Sequence, residues 1–181
     1  MKNTTKWIAS IATATAIFIS ANVNAQMTTP KTTTDDPWHL GIGVEGGAVT
    51  GAAQTVSNVE LGGTVRLQYG PSGSVAYTLT SGFYSFLGKD IPGEGSTKYN
   101  SLGIVPVKVG VKLFFAPKVY FGAEAGAGFE TDSYDYTKLI LSPAIGYASK
   151  SWDVGVRYEN FSGQGNNFGL VGLRVAYAFP L

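Results

Sequence analysis

From Phe168 to Phe179 the chain alternates without a break: Val171, Leu173, Val175, Tyr177 and Phe179 share one parity, and Gly172, Arg174, Ala176 and Ala178 share the other. Successive side chains of a β-strand point to opposite faces, so this stretch predicts a strand with one apolar face and one small or charged face. The pattern recurs. Trp152, Val154, Val156 and Tyr158 stand against Asp153, Gly155, Arg157 and Glu159, and Val105, Val107, Val109, Val111 and Leu113 stand against Lys108, Gly110 and Lys112. Eight such segments can be marked: Trp38 to Val49, Asn58 to Tyr69, Ser74 to Phe86, Ser101 to Phe115, Val119 to Phe129, Lys138 to Ala148, Trp152 to Phe161, and Phe168 to Phe179. Each has about the 9–11 residues, or a little more, that a tilted strand needs to cross a bilayer. A one-residue slip would exchange the two faces, so the register should be well specified.

The connections alternate in length. Those after the second, fourth and sixth segments are short (Gly70 to Gly73, Ala116 to Lys118, Ser149 to Ser151), and the others are longer and more polar, the longest running from Leu87 to Asn100 with Pro92. Short turns at one end and long loops at the other predict an all-β fold, an eight-stranded antiparallel up-and-down transmembrane β-barrel with both termini at the short-turn end. Ahead of it, Lys2 and Lys6 precede an apolar stretch from Trp7 to Ile19 and then Val23-Asn24-Ala25. That order of charge, apolar run and small residues predicts an export signal over 1–25, cleaved after Ala25. The apolar run is too short for a spanning helix. Residues 26–37 are Thr-rich with Pro30 and Pro37, which predicts a flexible lead-in on the periplasmic side, and the barrel is expected to occupy 38–181.

Alternation alone does not say which face points outward, since a soluble barrel carrying a ligand would have the two reversed. Charged residues make up 14% of the 181 residues, well below the roughly 25–35% that covers a small soluble surface. The polar face is mostly Gly, Ala, Ser and Thr with isolated charges, a poor surface and a good filling for a narrow interior. On it stand five acids, Glu45, Glu60, Glu124, Asp153 and Glu159, and five bases, Arg66, Lys108, Lys112, Arg157 and Arg174. Unpaired charges in a confined interior are costly, so the balance predicts a paired network. The apolar face carries aromatics near strand ends. Trp38, Tyr69, Tyr77, Phe115, Phe121, Tyr147, Trp152, Tyr177 and Phe179 fall at one rim, and Phe83, Phe129 and Tyr158 at the other. Amphipathic rings gather this way at membrane interfaces.

Composition and motifs exclude several chemistries. A net charge of +1 carries no nucleic-acid footprint, and the absence of cysteine removes disulfides and thiolate sites. His39 is the only histidine, so no two-histidine zinc motif exists; it falls at the short-turn end and inward, as a girdle or plug residue. Gly41-Ile-Gly-Val-Glu-Gly46 matches the dinucleotide glycine pattern but lacks the strand before and the helix after it. Glu124 with Asp153, Arg157 and Glu159 reads as an interior ion-pair network rather than an acid/base site, so neither cofactor nor metal is expected. Asn160-Phe161-Ser162 matches a glycosylation acceptor that has meaning only in eukaryotic secretion. The segments Glu130 to Tyr136 and Gly163 to Asn167 read first as solvated polar loops, with interfacial tyrosines in the former, and second as places where an extracellular partner could bind.

With its eight alternating segments, unequal loops and final strand Gly169-Leu-Val-Gly-Leu-Arg-Val-Ala-Tyr-Ala-Phe-Pro-Leu181, the chain resembles the small OmpA/OmpX-type outer-membrane barrels, the porin-like "outer membrane protein beta-barrel domain" families. The resemblance covers roughly Trp38 to Leu181. It implies residence in the outer membrane of a Gram-negative bacterium among lipid and lipopolysaccharide, and a final strand read by the outer-membrane assembly machinery, here ending Pro180-Leu181 rather than on an aromatic. Some such barrels are lipid A enzymes, which would ask for a histidine and a serine near one lipid-facing rim. The reading that results is a monomeric, non-enzymatic outer-membrane barrel with a charge-paired interior and surface loops that serve membrane integrity or surface interaction. A narrow channel for small solutes is the alternative, and a soluble periplasmic carrier a more distant one.

Overall fold

The computed structural model describes residues 37–90, 100–131, 136–163 and 167–181. The export segment and all of the lead-in but Pro37 lie outside the described residues. Eight antiparallel strands follow one another around a closed barrel: β1 (Trp38–Gly51), β2 (Ser57–Ser72), β3 (Val75–Gly88), β4 (Leu102–Ala116), β5 (Val119–Glu130), β6 (Thr137–Ala148), β7 (Trp152–Gly163) and β8 (Phe168–Pro180). The barrel closes where β1 meets β8, with Glu45 opposite Arg174, so every strand is hydrogen-bonded on both sides and no edge is left to recruit a second chain. The fold is the all-β, eight-stranded, up-and-down barrel that the alternation predicts. Several strands run a few residues beyond the segments marked from sequence, and a single 3-10 turn (Ala52–Thr55) follows β1.

Turn chemistry sets the ends. Gly51 terminates β1 with φ of 78°, a conformation open to glycine. Lys118 takes φ of 70° between β4 and β5, a position unusual for a side chain other than Gly, Asn or Asp. In the β6–β7 turn, Ser149 Oγ accepts from Trp152 N at 3.1 Å. Leu181 N donates to Trp38 O at 3.1 Å, which ties the two ends of the barrel domain together at the short-turn end. Prolines interrupt two ladders. Pairing between β3 and β4 skips from Ser81↔Val107 to Tyr84↔Ile104 around Pro106, and between β6 and β7 from Leu141↔Asn160 to Ala144↔Arg157 around Pro143, because proline has no N–H to give.

The faces divide as the parity requires, with the apolar set outside. Ile42, Val44, Val65, Val109, Ile145, Val156 and Leu173 are exposed, while Glu45, Glu60, Lys108, Asp153, Arg157 and Arg174 are buried within. The glycine-rich sequence around Gly41 to Gly46 lies wholly inside β1, so it forms no phosphate loop. The interior also holds what the sequence reading did not separate out. Val49, Tyr84, Phe86, Ile104, Ile140, Phe161, Phe168 and Leu170 form one buried apolar cluster. All of them lie near the strand ends that adjoin the long connections, so this cluster caps the lumen at the end opposite the termini. Phe161 stacks on Phe168 with centroids 4.7 Å apart, and Phe86 meets both edge-on at 5.8 and 5.4 Å.

Candidate functional site

Beneath the apolar plug the lumen is filled by charge. Its upper group joins β1, β4 and β7: Arg157 pairs with Glu45 and, through Nε at 3.2 Å, with Glu159 Oε1. Lys108 pairs with the same Glu159, donates to the Tyr84 hydroxyl at 2.9 Å, and reaches Glu124 Oε2 at 3.5 Å. In the middle group Arg66 Nη2 donates to Glu124 Oε1 at 2.8 Å and Arg66 Nε to Thr80 Oγ1 at 2.9 Å. The Thr80 hydroxyl in turn donates to Glu124 at 2.8 Å. Arg174 Nε lies 3.2 Å from both Glu45 Oε1 and Thr64 Oγ1, and Thr64 donates to Glu45 at 2.7 Å. The lower group centres on Asp153. It pairs with Lys112, accepts from the Tyr120 hydroxyl at 2.7 Å, and has Arg66 Nη1 and Arg174 Nη1 each at 3.7 Å. Lys112 also donates to Gln68 Oε1 at 2.9 Å and sits over the Tyr120 ring.

Strand register explains why these ends meet. Partners such as Arg66 and Glu124 come from strands three apart and reach across the barrel, and the glycines facing the lumen leave the space. Two of those glycines cannot be anything else: a Cβ on Gly126 would lie 2.0 Å from Val107 O, and one on Gly82 would lie 2.1 Å from Gly63 O.

Nine of the ten inward charges named from sequence take part in these ion pairs. The expectation of complete pairing is corrected at Glu60. It is fully buried, and neither carboxyl oxygen has a hydrogen-bond partner. A Cβ on Gly62 would meet Glu60 Oε1 and Tyr84 Cδ1, both at 2.7 Å, so the carboxyl folds over Gly62 against Tyr84, at the edge of the plug. Removing an unpartnered buried charge removes a desolvation cost rather than an attraction. Glu60→Gln is therefore expected to leave unfolding stability within about 1 kcal/mol of the parent or to raise it. Urea titration followed by gel mobility checks this, and a large loss would reveal an attraction that the geometry lacks. Two more charges face the interior among the described residues: Lys138 Nζ lies 3.3 Å from Glu130 Oε1 near the plug, a pair the sequence reading passed over.

The aromatics of the outer face fall in two rims. Trp38, Tyr69, Tyr77, Phe115, Phe121, Tyr147, Trp152, Tyr177 and Phe179 ring the terminus-bearing end, with Trp38 on Tyr69 at 4.6 Å, Phe115 on Phe121 at 4.5 Å and Trp152 on Tyr177 at 5.3 Å. Phe83, Phe129 and Tyr158 stand toward the other end, all exposed.

Space remains in mid-lumen, where about 20 Å³ lies among Arg66, Lys112, Tyr120, Glu124 and Arg157, and at the end where Trp38 and Leu181 meet. A vestibule of about 130 Å³ is lined by His39, Gln68, Phe114, Lys118, Ser149 and Asp153 among others. His39 and Ser149 share it, but the Ser149 hydroxyl closes its own turn on Trp152, so the two form no nucleophile–base pair. Among the described residues no group of three or more His, Cys, Asp or Glu side chains could hold a metal ion.

An apolar exterior, a closed ladder and an interior of ion pairs define the architecture. The fold is that of the small outer-membrane β-barrels. The chain aligns with Ail, the attachment invasion locus protein of Yersinia pestis, with a TM-score of 0.58 at 14% identity over 78% of this chain and 97% of that one. It aligns with the N-terminal β-barrel domain of Pseudomonas aeruginosa OprF with a TM-score of 0.54 at 14% identity, over 78% and 97%. A de novo designed transmembrane β-barrel gives 0.50 at 20% identity, over 78% and 95%. At such identities the likeness is one of fold. No family model and no curated protein sequence matches the chain.

Proposed function

We propose that this chain is an integral outer-membrane β-barrel protein of a Gram-negative bacterium, without enzymatic activity, whose lumen is closed and whose long connections are its surface for contact outside the cell. The observation that carries this reading is the inversion of the two faces: Val109 is 61% exposed on the outside while Lys108, its neighbour, is 0% exposed within. Water would penalise that arrangement, and hydrocarbon rewards it. A soluble carrier would need the opposite. The terminus-bearing rim, with its nine aromatics, lies on the periplasmic side, and the plug lies toward the outside. Lipid and lipopolysaccharide surround the aliphatic band, the exposed rings sit at its two interfaces, and the assembly machinery receives the β8 strand.

A lysine in place of Val109, near the middle of β4, is expected to cost about 2–4 kcal/mol in a bilayer. Unfolding in lipid vesicles measures it, and a cost near zero would count against a lipid-facing β4. Closure is tested separately, by reconstitution in planar bilayers. The plug and the ion-pair groups predict no stable conductance, whereas steady ion flow would favour a narrow channel.

A further inference from the structure

The luminal space at the terminus-bearing end contains a smaller recess of about 20 Å³ beside the vestibule. Both are lined by His39, Gln68, Asp153 and Ala178, and the smaller one adds Gly41, Arg66, Arg174 and Ala176. Two buried polar atoms here have no hydrogen-bond partner: Nη2 of Arg174, a residue only 4% exposed, and Nδ1 of His39. The Arg174 atom faces the space above Gly41, for a Cβ built there would lie 3.6 Å from it. Charge is also uneven. Lys112, Arg66 and Arg174 converge on the single carboxylate of Asp153, while Glu60, the fifth acid that would balance the five bases, is held apart beside the plug. An unspent guanidinium N–H in a cationic recess attracts an anion. A recess of this size accepts about one atom of water or halide dimensions.

We propose that this recess is a binding site for a small monovalent anion of halide size, reached from the short-turn end of the barrel and held by Arg174 Nη2 with His39 beside it. Polyatomic anions stop in the vestibule. The inference goes beyond the membrane reading and stands on the lumen alone.

The test uses the full barrel folded in detergent micelles, with its urea midpoint read from gel mobility at constant ionic strength in sodium chloride, sodium bromide or sodium gluconate. Chloride and bromide are expected to stabilise saturably, by about elevenfold in the folding equilibrium at ten times the dissociation constant, and gluconate is not. Gly41→Ala places a methyl in the recess at ordinary contact distances of 3.6 to 3.8 Å from its neighbours, leaves every charge in place, and is expected to abolish the halide increment. Equal stabilisation by gluconate, or a halide increment retained in Gly41→Ala, would overturn the proposal. A bromide-soaked crystal of the parent protein needs no variant: anomalous density beside Arg174 Nη2 supports the site, and its absence there overturns it.

Discussion

Asp153→Ala is expected to destabilise the folded barrel by about 3–5 kcal/mol, the usual result of removing one partner from a buried ion pair. Lys112, Arg66 and Arg174 all converge on this carboxylate, and the Tyr120 hydroxyl donates to it. Without it three cations face one another across a lumen too narrow for them to separate, and the nearest acids, Glu124 and Glu45, are already engaged by Arg66, Lys108, Arg157 and Arg174. Urea unfolding in lipid vesicles, read by the mobility of unboiled samples, measures the loss. A change below about 1 kcal/mol, the level of an exposed pair, would mean that water screens this end of the lumen. Joint replacement of Asp153 and Lys112 by apolar residues should recover part of the loss, since a matched apolar pair carries no desolvation cost.

Phe161→Ala is the second large effect, again about 3–5 kcal/mol, the range for emptying a fully buried aromatic site. Phe161 is wholly buried, stacks on Phe168 and meets Phe86 edge-on. Strands held in a closed ladder cannot collapse into the space, so most of the cavity should persist. The same change thins the outer cap of the lumen. Increased entry of small thiol reagents to a cysteine placed at Thr80, beneath the plug, is expected in the Phe161→Ala background and not in the parent. Equal labelling in both would show that the cluster fills space without sealing.

Much of this architecture is legible in the sequence because a β-barrel writes it at period two. Once Val109 and Lys108 are assigned to opposite faces, the register of β4 follows, and the low charge content then decides which face is outside. The plug was equally present in the parity: Phe161 shares its face with Asp153, Arg157 and Glu159, and Phe86 with Thr78 and Thr80. Aromatics near strand ends occur on both faces, however, and residue type alone does not separate a girdle ring from a luminal one. Ion pairing is harder. Arg66 meets Glu124 from 58 positions away, a reach set by the shear and diameter of the barrel rather than by any spacing in the chain. For the same reason the isolation of Glu60 is invisible in a balanced count of charges. The unspent Arg174 Nη2 depends on a single guanidinium orientation, below what a face assignment can resolve.

On the proposed function, the apolar face of this barrel meets lipid in the outer membrane. The most direct test is fractionation of cells expressing the full-length chain, followed by electrophoresis of the membrane fraction with and without boiling in detergent. Recovery in the outer membrane and a band whose mobility shifts on boiling are expected, as a closed barrel resists detergent until heated. Recovery in the soluble periplasm, with no heat-dependent shift, would contradict that reading.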